Sequence, residues 1–149
     1  MVTEGAFAVS DVLPHDVWES LKSEPNTVLV DVRTQAEWAF VGVPDLAGLD
    51  KEVIRIEWLT YPAMSVNQNF ADELFQKIGD RIPDSIYFLC RSGVRSLSAA
   101  SVVAGFARDS GHSINCYNVA EGFEGDLDAD KHRGGLNGWK KRGLPWRQT

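Results

Sequence analysis

At 149 residues and 44% hydrophobic content, the chain is sized for one domain whose core needs neither a disulfide staple nor a structural metal. No apolar run exceeds strand length, which argues against a membrane span, and residues 1–11, "MVTEGAFAVSD", lack the basic and continuous apolar regions of a secretory signal. The net charge of -6 conceals a basic end: residues 131–149 hold six Lys/Arg and no Asp/Glu, a solvated segment too small for a nucleic-acid face.

The elements alternate along the chain. Pro14 opens a short helix to about Lys22, with Val17, Trp18 and Leu21 on one face. "TVLVDV" (27–32) is a β-branched run suited to a strand buried on both faces. Thr34 and Glu37 form a capping box that starts a helix reaching Phe40. "VIRIEW" (53–58) reads as a strand. Asn69 is expected to cap a helix striped by Phe70, Leu74, Phe75 and Ile78 and ended by Gly79. "SIYFLC" (85–90) is a strand, Ser96 to about Arg108 a helix, and "INCYNV" (114–119) another strand. Residues 120–149 contain six of the thirteen glycines and read as loop with one short helix near 137–142. This order predicts an α/β fold, a mostly parallel sheet with helices on both faces.

Two cysteines make no disulfide framework, and they place the chain in a reducing cytoplasm where a thiol is free for chemistry. Cys90 ends a buried strand, and ligands of open α/β sheets sit outside the carboxyl ends of the strands. Arg91 to Arg95 form a tight turn into the next helix, so successive backbone N–H groups can converge on one point as an anion nest. Gly93 removes the Cβ that would obstruct such a curl. The helix dipole and the two arginines favour a thiolate at Cys90. Simple packing at a strand end is the alternative, but it does not account for arginines on both sides of a Ser-Gly turn.

"CRSGVRS" (90–96) resembles the active-site loop of single-domain rhodaneses, a sulfurtransferase family. "VLVDVRTQAEW" (28–38), "YNVAEGFEG" (117–125) and "NGWKKRGLPW" (137–146) resemble other segments of that family, and the likeness runs from about Val9 onward. It implies a five-stranded parallel sheet and a Cys90 persulfide formed from a small anionic donor such as thiosulfate. Cyanide, a thiol or a protein acceptor would then take the sulfur. The loop residues Arg91, Ser92, Gly93, Val94, Arg95 and Ser96 would hold the persulfide through backbone N–H groups. Arg91 and Arg95 are candidates for drawing in the donor, with Arg95 alternatively turned inward as a brace. Asp31 and Arg33 are expected either to pair with groups near the loop or simply with each other.

Two departures from the family pattern stand out. "GVPDL" (42–46) lacks the histidine of the usual Gly-His-Ile-Pro, and "DLDADKHRGGL" (126–136) reads as an insertion. The loop from Cys90 to Arg95 counts six residues, one fewer than in the phosphatase relatives, which favours sulfur transfer over phosphatase or arsenate reductase chemistry. A sulfur-carrier or regulatory module acting on a protein partner shares the same cysteine.

No cofactor or metal is expected. Asp126, Asp128 and Asp130 imitate the start of a calcium loop, but Lys131 and Asn137 stand where Gly and a bidentate Glu are required. The three histidines are dispersed. Cys116, in mid-strand, reads as a buried structural thiol. Trp58 and Tyr61, in the 57–67 loop, are candidates to wall the pocket.

Overall fold

The structure is a computed structural model that describes residues 9–148. The expectation about a secretory signal in residues 1–11 falls mostly outside them. Five strands form one all-parallel sheet: β1 (Ser10–Val12), β2 (Thr27–Asp31), β4 (Ile54–Arg55), β7 (Ser85–Leu89) and β8 (Asn115–Val119). Their spatial order is β1-β8-β7-β2-β4. Two small antiparallel pairs flank it: β3 (Val43–Pro44) with β9 (Trp146–Arg147), and β5 (Leu59–Thr60) with β6 (Ser65–Val66). The helices are α1 (Pro14–Ser23), α2 (Gln35–Phe40), α3 (Phe70–Ile78) and α4 (Val94–Asp109).

The two-residue period of the central strands divides the core between the two faces of the sheet. Val30, Val32, Ile86 and Phe88 point to one face, where Phe70 and Leu74 of α3 and Ala99, Ala100 and Val103 of α4 cover them. Leu29, Tyr87, Leu89 and Val119 point to the other, against Val17 and Leu21 of α1 and against Phe123, Trp139 and Leu144 of the closing segment. Cys90 belongs to the α4 face, and the fully buried Asp31 points to the opposite one. This alternation decides what each can touch.

Several expected boundaries shift. Only Ile54–Arg55 of the 53–58 run is regular strand, although Ile56 N and Trp58 N still donate to Asp31 O and Val32 O (both 3.1 Å). Asn69 makes no side-chain cap; instead Asn67 Oδ1 accepts from Asn69 N (3.0 Å) ahead of α3. Helix α4 begins two residues earlier than expected, at Val94. The short helix expected at 137–142 is replaced by turns. Its leading donors hold the neighbouring segment, Trp139 N to Gly122 O (2.9 Å) and Lys140 N to Phe123 O (3.2 Å). One helical turn forms, with Arg142 N donating to Gly138 O (2.9 Å), before Gly143 N turns back to Lys140 O (3.0 Å). Strand β1, at the sheet edge beside β8, is too short and too exposed to show a periodic signal.

No helix among the described residues is long and apolar enough to cross a membrane.

Candidate active site

Cys90 follows directly on β7 and is 1% exposed. Three residues on, Gly93 adopts φ 118°, a left-handed value that only glycine takes without strain, and this turns the chain back over the sulfur. Gly93 N then donates to Cys90 Sγ at 3.1 Å. Val94, Arg95 and Ser96 form the first turn of the sixteen-residue α4, whose leading N–H groups have no intrahelical acceptor. The sulfur therefore lies at the positive end of a long helix dipole.

Ser96, fully buried, places Oγ 3.1 Å from Cys90 Sγ and 2.5 Å from Asn118 Oδ1. Its single proton serves either neighbour. The amide of Asn118 is oriented by two acceptors, Asp11 Oδ1 (2.9 Å) and Gly93 O (3.1 Å), both facing Nδ2. That leaves Oδ1 turned toward Ser96. Asn118 carries no local signal, being one of two asparagines in β8, and its side-chain partners Asp11, Gly93 and Ser96 are all distant in sequence.

A second segment clamps the loop from behind. Phe123 N donates to Cys90 O (2.8 Å), and Glu124 N to Arg91 O (3.0 Å). The approach depends on Gly122, at φ 68°, where a Cβ would sit 2.5 Å from the carbonyl carbon and oxygen of Arg91 and 2.6 Å from Cys90 O. Such a contact with backbone cannot be relieved by a rotamer change. Gly122→Ala is expected to cost about 3 kcal/mol or more and to displace the loop. Chemical denaturation together with the Cys90 alkylation rate checks this. Unchanged values in both would mean that the clamp does not set the loop.

The two loop arginines divide. Arg95 folds inward onto Glu37 in a two-pronged pair, Nη1 to Oε1 at 2.8 Å and Nη2 to Oε2 at 2.9 Å, with both side chains largely buried. It is the brace, while Arg91 is exposed. Glu37 is also the N3 residue of the Thr34 capping box, so one carboxylate ties α2 to the loop. Burial by itself pushes the Glu37 carboxyl up, but the hydrogen bonds from Arg95 and Thr34 and the Arg95 charge bring it from 4.5 to about 2.

A depressed acid is ionised in the folded chain at pH values where the unfolded chain binds a proton. The stabilisation is therefore complete above the unfolded value of 4.5 and is lost as pH falls toward 2. Solvent screening of this partly exposed pair reduces its size to about 1–2 kcal/mol. Urea unfolding across this range should fall more steeply for the wild type than for Glu37→Gln. Parallel curves would contradict the pairing.

Asp31 and Arg33 pair with each other and do not reach the loop directly. Both are fully buried, with Arg33 Nη2 2.7 Å from Asp31 Oδ2 and 2.7 Å from Gly42 O. The Arg33 guanidinium lies 4.3 Å from the centre of the Phe123 ring, whose backbone holds Cys90, so its link to the site is indirect.

Tyr61 lines the cleft beside the loop, but Trp58 packs edge-on against Phe70 in the core (5.5 Å) and is not a wall. Cys116 is buried, and burial pushes its thiol up to about 12, so it remains protonated. Asp128 Oδ1 accepts from the backbone N–H groups of Asp130 and His132 (both 2.9 Å), closing an acidic turn. Among the described residues no group of three His, Cys, Asp or Glu is placed to hold a metal ion.

A five-stranded parallel sheet with a cysteine at its carboxyl edge, set in a short loop that opens a helix, is the rhodanese-like arrangement, and the comparisons agree. The family model for the rhodanese-like domain matches residues 13–129, and the chain belongs to that family. An uncharacterized protein of Rickettsia conorii is 39% identical over 140 residues, 94% of this chain and 98% of the relative. The crystal structure of Rv0390 from M. tuberculosis is 50% identical with a TM-score of 0.81, covering 95% of this chain and 98% of that one. The polysulfide-sulfur transferase homodimer from Wolinella succinogenes shares the fold at 20% identity and a TM-score of 0.57, over 98% of this chain and 84% of that one.

Proposed function

We propose that the protein is a sulfurtransferase that carries a sulfane sulfur on Cys90 as a persulfide. The observation that carries this reading is the position of Cys90 Sγ, 3.1 Å from both Gly93 N and Ser96 Oγ at the mouth of the long helix α4. In the first step the Cys90 thiolate attacks the outer sulfur of thiosulfate. A new S–S bond forms, the donor's S–S bond breaks, and sulfite leaves with the bonding pair. The negative terminal sulfur of the persulfide then meets the free N–H groups of the first turn of α4. In the second step cyanide attacks that terminal sulfur, thiocyanate departs, and the thiolate returns.

Both cysteines are unpaired, and a reactive thiol of this kind suits a reducing compartment, so we place the protein in the cytoplasm. Steady-state turnover of thiosulfate with cyanide should give the parallel reciprocal plots of a ping-pong reaction. Hydrolysis of a phosphate ester without thiosulfate turnover would reverse the reading in favour of phosphatase chemistry.

A further inference from the structure

Three strands and one helix meet behind the nucleophile. Asp11 of β1 and Asn118 of β8 are partners in the sheet register, and Phe88 of β7, two residues before Cys90, is the partner of Asn118 on its other side. All of them share the face of the sheet that α4 covers, and Ser96 stands in the first turn of that helix. Their polar groups form one continuous line of contacts. Asp11 Oδ1 lies 2.9 Å from Asn118 Nδ2, Asn118 Oδ1 lies 2.5 Å from Ser96 Oγ, and Ser96 Oγ lies 3.1 Å from Cys90 Sγ.

The Ser96 hydroxyl has one proton and two acceptors within reach. A thiolate at Sγ takes that proton, since a hydrogen bond to a charged acceptor is the stronger one. Once a sulfur atom is bonded to Sγ, the negative charge has moved outward and the amide oxygen becomes the better acceptor. The hydroxyl is fully buried, so without Asn118 Oδ1 it would have no good partner in that state.

We propose that Asn118, oriented by Asp11, is a positioning residue for sulfur transfer, taking the Ser96 hydroxyl when Cys90 is loaded and yielding it when Cys90 is the leaving group. This rests on the sulfur-transfer reading of Cys90. In loading, an electron pair of the thiolate forms the new S–S bond and the hydroxyl turns from Sγ to Asn118 Oδ1. In unloading, the acceptor attacks the terminal sulfur, the pair of the broken S–S bond returns to Sγ, and the hydroxyl turns back. The proton stays on Oγ throughout; only its direction changes. Asp11 and Gly93 O both accept from Asn118 Nδ2, so a flipped amide would set Oδ1 against two acceptors.

Alkylation of Cys90 by iodoacetamide, followed against pH, tests this line of contacts without sulfur chemistry. Asn118→Leu, close in size, leaves Sγ as the sole acceptor for the Ser96 hydroxyl. The pH midpoint of alkylation should fall by about one unit. The plateau rate should drop about three-fold, because a more stabilised thiolate is a weaker nucleophile. In a Ser96→Ala background the same substitution should change neither. The charges around the loop, those of Arg91, Arg95, Glu37, Asp31 and Asp11, are the same in every member of that comparison. Equal shifts in both backgrounds would assign the effect to loosening of the loop through Gly93 O and overturn the proposal, as would no shift with Ser96 present. Should the buried variant misfold, exposed Asp11 supplies the second test. Asp11→Ala should lower the midpoint further than Asp11→Asn, which loses the same charge but keeps an oxygen for Asn118 Nδ2. Identical profiles for these two would contradict the orienting role. A shift that depends on Ser96, in a protein that gains no sulfur from thiosulfate, would uphold the switch and defeat the sulfurtransferase reading. Sulfur gain without such a shift would do the reverse.

Discussion

Cys90→Ser is expected to leave a folded protein whose turnover of thiosulfate with cyanide is at background, a fall of at least about a thousand-fold. The substitution is nearly isosteric. The hydroxyl inherits hydrogen-bond partners already in place, Gly93 N and Ser96 Oγ, so stability should change by no more than about 1–2 kcal/mol. Loss of activity with fold retained separates chemistry from packing. An appreciable residual rate would mean that the loop merely concentrates the reactants.

The second large effect concerns stability. Asp31→Ala strands the Arg33 guanidinium, which is fully buried and whose Nη1 already lacks a hydrogen-bond acceptor. Breaking one side of such a pair costs about 3–5 kcal/mol, because a charge is left in the interior without its partner. For a chain of this size that lowers the melting temperature by roughly 10 °C. Removing both charges, as Asp31→Leu with Arg33→Met, should recover part of the loss, since no charge is then left unpaired in the interior and only the Gly42 carbonyl and the residue 33 N–H lose a partner. If the single and double variants are equally unstable, packing rather than charge is responsible. Calorimetry of the two variants beside the wild type decides between these.

Sequence reading succeeded where the determinants are consecutive. The nucleophile, the left-handed glycine and the helix start fall within six residues of one another, so the loop could be read before the fold was known. Thr34 and Glu37 were legible as a capping box for the same reason, their bonds being local. The second task of Glu37, holding Arg95, was not, because 58 residues separate them and only the parallel neighbourhood of β2 and β7 brings them together. The clamp of Gly122 and Phe123 on the loop and the Asn118–Ser96 contact are hidden likewise: each depends on β8 pairing beside β7. The expected helix at 137–142 failed for a related reason. Its composition permits a helix, but only a single turn forms, tied to the clamp through Trp139 N and Lys140 N and ended at Gly143. The assignment of the loop arginines needed three dimensions as well, since nothing local distinguishes the one that folds inward from the one that stays exposed.

The persulfide itself offers the most direct test. Wild-type protein treated with thiosulfate, freed of excess reagent and digested for mass spectrometry, should carry a single added sulfur on the peptide containing Cys90. The peptide containing Cys116, whose buried thiol stays protonated, should carry none. Brief exposure to cyanide should remove the added mass and release thiocyanate. No gain on Cys90, or a gain on Cys116 instead, would contradict the account.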